Sequence, residues 1–470
     1  MSTTLPNIGA ATDPLHSTFA SPAASEHRPA PVAESERIEI IDVIRGVALL
    51  GILLMNIPGF ALPDRYTAAW RADLGSPNFW VWATNTIFFE GKMRALFSAV
   101  FGAGIVLFTE GKEKAGRSAT GLFYRRMFWL TLFGLIHAHL VLWFGDILYF
   151  YGLVGMLAFF LRKVAPRWLV IGVPLVAIVG FISNTVYYRD LRAKRLAWRD
   201  AVTAQAAGRA LTPAQNSALA TWRDVERDLI PNEAAIARQT SIMKGSYAQV
   251  AGFVRKRSAQ VEFNLLYLVI WDVLALMALG IALFRWGFFS LQWSSRAYAR
   301  TALIGYAVGL AAVTYAFVHN MRVGPNLAAR YAYIERTPID WTEALYDVQR
   351  VALMMAHVSV IMLVYRAGWL RGLFVRLSAV GRMAFTNYVM QSVICSLVFF
   401  GYGLNKFAEW QYYQLYYLVG GIWLFQLIVS PLWLRAYQFG PLEWAWRALT
   451  YWRKPPMRRV KQQRLEPATV

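Results

Sequence analysis

Three polar residues, Asp42, Arg45 and Asn56, interrupt the apolar stretch IEIIDVIRGVALLGILLMNIPGF. At 100° per residue they share one narrow side of a helix. A charge at the centre of a bilayer costs about 2.5–3.5 kcal/mol on insertion scales, so such residues face a protein interior and serve a purpose there. Further on, His137 and Asp146 supply an imidazole and a carboxylate, groups suited to general acid–base work. Asp272 lies within the apolar run WDVLALMALG. Asp347, Arg350 and His357 fall on one side of a later helix, and Asn387 and Gln391 form an i, i+4 pair. Glu90, Lys92 and Arg94 gather before another apolar run.

Each of these also has a plainer, structural reading. His139 lies nearly opposite His137 around their helix and reads as a residue bonding a neighbour. Asp146 suits an N-cap after a tight turn, and Asp347–Arg350 suits an i, i+3 ion pair. Asp42 and Arg45 pair locally or meet phosphates of a lipid or cofactor. Glu443 and Arg447 read as a structural pair on a tail helix. No GxSxG elbow, Walker loop or HExxH site occurs, and His137-Ala-His139 matches no closed metal site, so no metal is expected.

The elements that must position these residues are membrane helices. Of 470 residues, 57% are hydrophobic and 15% aromatic, and only 16% are charged, too apolar a balance for a soluble fold. The fold class is an all-α polytopic membrane protein. About ten spanning helices are expected, over 39–60, 92–110, 122–143, 146–162, 167–187, 262–285, 298–320, 345–365, 382–402 and 411–435. A short Trp-rich helix is expected from Asn78 to Phe89. The formal charge of +21 reflects lysine and arginine in cytoplasmic loops rather than nucleic-acid binding. Placing those loops inside makes both termini cytoplasmic. Cys395 is the only cysteine, so no internal disulfide forms.

The chain divides into a disordered tail (1–36), an N-terminal transmembrane bundle (37–187), a helical extracytoplasmic insertion (188–261), a C-terminal transmembrane region (262–453) and a basic tail (454–470). In the insertion, Thr212-Pro213 is a helix start and Gly208 a stop.

Three long motifs, RIEIIDVIRGVALLGILLMNI, FFEGKMRALFSAVFGAGIVLF and YRRMFWLTLFGLIHAHLVLWFGDILYFYGLVG, resemble the YeiB-like family of bacterial inner-membrane proteins. The stretch from GRMAFTNYVMQSVICSLVFFGYGL to FGPLEWAWRALTYWR resembles that family's domain of unknown function 418. The first motif is also similar to transmembrane acyltransferases, the acyltransferase-3 and heparan glucosaminide N-acetyltransferase families. The shared element is Asp42, then Arg45-Gly46, then a polar residue eleven after the arginine. That residue is histidine in the acyltransferase-3 pattern and Asn56 here.

This resemblance implies transfer of an acyl group from cytoplasmic acyl-CoA to an acceptor outside, lipid-linked or glycan. His137 then replaces the missing histidine as base, with Asp146 or Asp272 orienting it. Arg45, Arg125 and Arg126 meet the donor at the inner face. Arg126 precedes His137 by eleven residues on the same helix side. Asn56 and Asn387 donate to the oxyanion. Two other readings stand beside this. One is a transporter using Asp272, Asp347 and Arg350; the other is a non-catalytic sensory or assembly protein, its outer insertion a partner surface.

Overall fold

A computed structural model describes residues 38–459 apart from 64–68, 117, 231, 265 and 325. The tail expected over 1–36 and the end of the basic tail lie outside these residues. The N-terminal half holds α1 (Glu39–Ala61), α2 (Pro77–Thr84), α3 (Lys92–Lys114), α4 (Thr120–His139), α5 (Leu148–Leu161) and α6 (Pro166–Ala206). The insertion holds α7 (Pro213–Leu229), α8 (Glu233–Met243) and α9 (Tyr247–Asn264). The remainder is α10 (Leu266–Arg285), α11 (Ser295–Val323), α12 (Leu327–Arg336), α13 (Thr342–Arg366), α14 (Arg371–Arg382), α15 (Ala384–Phe399), α16 (Leu415–Ala436) and α17 (Pro441–Tyr451). Among the described residues the only extended pairing is an isolated bridge between Tyr437 and Arg458.

The all-α polytopic class holds, but the count of ten spans needs correction. Six helical segments are long and apolar enough to cross a membrane: α1, Pro77–Lys114, α6, α11, α13 and Tyr412–Ala436. A seventh is added if α9 and α10, bent against each other, count as one. Three expected spans fall short. α5 has 14 residues and α15 has 16, about 21 and 24 Å of helix against a hydrocarbon core of about 30 Å. α4 has 20 residues but carries Arg125 and Arg126 near its start. The turn between α4 and α5 therefore need not reach the bilayer surface. Leu142, Trp143 and Asp146 in it are buried, as irregular backbone at membrane depth must be.

α1 is the centre of the bundle. Of its apolar window 72% is buried, against 6% for α6, which faces outward. α1 crosses α14 at close range because both carry glycine at the contact. A Cβ on Gly46 would strike the Leu377 carbonyl, and one on Gly381 would strike the Asp42 carbonyl.

Two parts of the cap were not legible locally. α6 runs on past the expected end at 187 to Ala206, 41 residues or about 60 Å, because nothing in YYRDLRAKRLAWRD breaks a helix. α12, absent from the sequence reading, is N-capped by Asn326, which accepts from Ala328 and Ala329 N–H. The two helices are joined by Arg195, whose Nε lies 2.7 Å from Glu335. The Arg195 guanidinium also packs on Trp198 and Tyr331, 4.0 and 4.1 Å from their ring centres. Thr212 and Gln215 form a capping box with Pro213 at the first helical position.

Candidate functional site

α4 and α5 form a hairpin whose turn holds His137 against Asp146. Their separation is 2.7 Å from Nδ1 to Oδ1, and both side chains are at most 3% exposed. The second Asp146 oxygen accepts the Tyr149 N–H at 2.8 Å. One carboxylate thus fixes the imidazole and caps the first turn of α5, so the N-cap reading of the sequence is half the story. Gly134, one turn before His137, permits this approach: a Cβ there would meet the Tyr149 backbone and Asp146 itself. Between the two partners Leu142 is held at φ 67°, a left-handed conformation unusual for leucine.

With Asp146 as acceptor, Nδ1 carries the proton and Nε2 keeps its lone pair. Nε2 is buried and has no hydrogen-bond partner among the described residues. A buried, unpaired acceptor is unfavourable unless something else uses it.

The insertion closes this end of α4. Ser258 donates to the Ala138 carbonyl, Arg255 Nε to that of His139 at 2.8 Å, and Tyr247 to that of Leu140 at 2.8 Å. α9 thereby satisfies the orphan carbonyls of the helix that carries His137. His139 points away and pairs with Glu262 at 3.1 Å.

A cavity of about 190 Å³ approaches the His137–Asp146 pair from the opposite, basic face. Its mouth is rimmed by Arg45, Arg126, Arg382 and Arg447, with Trp446 and Tyr451 of α17. Its walls are Val100, Phe101, Ile105, Met127 and Leu130, and its closed end is Phe97, Tyr151, Ile147 and Tyr388. Arg126 and Leu130 line it, and His137 lies two turns beyond Leu130 on the same side of α4. Tyr388 stands between: its ring is 5.0 Å from that of His137, and its hydroxyl accepts the Ile147 N–H at 3.3 Å. The Trp143 indole N–H is buried beside the Tyr388 hydroxyl.

The other residues singled out from sequence are placed as follows. Arg45 pairs with Asp42 at 2.6 Å at the cavity mouth. Asp272 does not meet His137; it bridges Arg94 at 2.7 Å and Arg350, which in turn binds Asp347. These four charges, two of each sign, tie α3, α10 and α13 together. His357 contacts neither Asp347 nor Arg350 but joins the Tyr306 hydroxyl at 2.8 Å and the Phe88 carbonyl at 2.9 Å. Asn387 is occupied by the Val380 carbonyl and Ser430, and Gln391 by Gln426, in a buried seam between α15 and α16. Asn387 is therefore not free to serve as an oxyanion donor. Asn56 is half-buried near the cap-side end of α1, and its side chain makes no hydrogen bond to His137.

Glu443 bonds the start of α15. Its carboxylate accepts Phe385 N–H at 2.7 Å, Thr386 N–H at 3.1 Å and the Thr386 hydroxyl at 2.5 Å, holding α17 against the start of α15. Burial pushes the Glu443 carboxyl above its ordinary value, and these hydrogen bonds offset only part of the rise. Among the described residues no group of three or more His, Cys, Asp or Glu is placed to hold a metal ion.

Sequence reasoning missed Tyr388, Tyr151, Trp143 and the α9 caps. Tyr388 directly follows Asn387, but nothing local distinguishes a cavity-lining tyrosine from a core one.

The family described as "Protein of unknown function (DUF418)" matches residues 283–453. The chain is 28% identical over 432 residues to "Uncharacterized protein YxaH" of Bacillus subtilis, covering 90% of this chain and 96% of that one. It is 28% identical over 437 residues to "Uncharacterized protein YeiB" of Escherichia coli, covering 88% and 96%. An uncharacterized 39.9 kDa protein of Bacillus acidopullulyticus is 26% identical over 428 residues. No solved structure matches. The apolar helices are those of a membrane protein, its C-terminal part matches the DUF418 family model, and nearly its whole length is similar to YxaH and YeiB.

Proposed function

We propose that this protein transfers an acyl group across the bilayer, from a donor entering at the basic face to an acceptor reached from the cap face. The observation that carries the reading is the His137 imidazole, held by Asp146 through Nδ1 while Nε2 is buried and unpaired, with Tyr388 between it and a mostly apolar cavity. An imidazole in that tautomer is a general base. Nε2 takes the proton of an acceptor hydroxyl or amine, and the acceptor atom attacks the donor carbonyl. The bond to the leaving group breaks, and the leaving group recovers the proton from the imidazolium. Asp146 remains a carboxylate and stabilises the imidazolium.

The lysine- and arginine-rich loops and the four arginines at the cavity mouth favour the cytoplasmic side for that face of a bacterial inner membrane. Acyl-CoA, an anionic donor, fits the same face. A transport reading draws on Asp272, Asp347 and Arg350, but these charges together with Arg94 already neutralise one another. The test uses protein in liposomes with labelled acetyl-CoA supplied at the basic face. Label should reach an added acceptor or the protein itself, and His137→Ala should cut the rate to a small residual without changing the folded fraction. Undiminished transfer by the variant removes His137 from the chemistry.

A further inference from the structure

We propose that the arginine-rimmed cavity is a binding site for a single-chain amphiphile with a phosphate-bearing head. This rests on the proposed function only in taking the cavity as the donor's place; binding itself is independent of any reaction. Four guanidinium groups, Arg45, Arg126, Arg382 and Arg447, meet at the mouth. The carboxylates beside them among the described residues are Asp42, paired with Arg45, and Glu443, whose two oxygens are taken by the start of α15.

Arg126 is the pivotal cation. Its guanidinium lies 4.3 Å from the Trp446 ring centre and 5.0 Å from that of Phe108, and no carboxylate pairs with it among the described residues. Ring faces hold a guanidinium in place while leaving its N–H edge to bond an anion. A phosphate oxygen is the ligand that such an edge, in company with other arginines, recognises best.

Inward of the mouth the lining turns apolar. Along α3 it extends from Phe108 beside Arg126 to Phe97 against Tyr151, eleven residues or about 16 Å. The slot stops at Tyr151 and Tyr388. Gly104 lines this passage, and a Cβ added there meets nothing within 4 Å. The shape is a narrow apolar slot with a cationic lip, matching one acyl or alkyl chain and one anionic head. A lipid phosphate and a nucleotide-borne phosphate share that chemistry.

Native mass spectrometry of the full chain in a neutral maltoside detergent tests this. Decyl phosphate, decanoyl-CoA, decanol and inorganic phosphate are titrated in parallel. One equivalent of decyl phosphate or decanoyl-CoA should bind, and whichever binds identifies the source of the head group. Arg126→Gln should weaken that binding about ten-fold or more, the value of one charge-assisted hydrogen bond. Gly104→Leu projects a side chain into the slot and should weaken it comparably. Binding of neither amphiphile overturns the proposal, as does equal binding of decanol, equal binding of inorganic phosphate alone, or indifference to both variants. His137→Ala should leave binding unchanged. Binding without acyl transfer would therefore end the catalytic reading and leave this one standing.

Discussion

Replacing Asp146 by asparagine separates the chemistry of the site from its architecture. Asp146 makes two hydrogen bonds, to His137 Nδ1 at 2.7 Å and from the Tyr149 N–H at 2.8 Å. Asparagine keeps an oxygen for Tyr149, so the first turn of α5 stays capped. It removes the charge that holds the imidazole in the Nδ1–H tautomer and stabilises the imidazolium. The stability loss is that of one charge-assisted hydrogen bond, about 1.5–3 kcal/mol. The rate loss is far larger if the pair works as a base, about 10⁴-fold by analogy with the same change in a serine-protease triad. The assay measures label transfer from acetyl-CoA in proteoliposomes, alongside thermal unfolding in detergent. A double variant with His137→Ala should transfer no more slowly than His137→Ala alone, because residues acting as one unit do not lose rate additively. Asp146→Asn turning over at the wild-type rate, with the expected small loss of stability, would refute the reasoning. So would additive losses in the double variant.

Two further predictions concern what holds the site in place. Arg350→Ala leaves Asp272 and Asp347 without their shared partner where α10 meets α13, and Arg350 is only 7% exposed. Breaking such a buried pair costs about 3–5 kcal/mol, so the variant should melt markedly lower, and an unchanged melting temperature would show the cluster to be solvated. Glu443 has its carboxyl raised above the ordinary 4.5 by burial. Its folded form binds a proton more tightly than its unfolded form, so the stability it contributes is complete below 4.5 and lost as pH rises through the raised value. Glu443→Gln should flatten that part of the stability–pH curve, and a curve identical to wild type would show that the carboxyl is hydrated.

The sequence alone determined the membrane class, the helical fold and most helix positions, because these follow from periodicity and apolar length that a window of residues contains. It also marked His137, Asp146, Arg126 and Arg350 as polar residues needing a reason. Thr212, Pro213 and Gly208 punctuate the insertion as their chemistry requires. Which polar residues meet was decided by tertiary structure. Arg94 and Asp272 are 178 residues apart, and no local pattern names one as the other's partner. The same holds for Arg195 with Glu335, 140 residues apart, which brings α12 into the cap. Asn387 and Asn56 carry donors fit for an oxyanion, yet one is consumed by α16 and the other stands apart. Hydropathy overestimated the spans at α4, α5 and α15, because a helix buried on protein looks as apolar as one facing lipid. Only the packed bundle shows that these shorter helices build a closed cavity and a buried turn, and that the turn places His137 on Asp146.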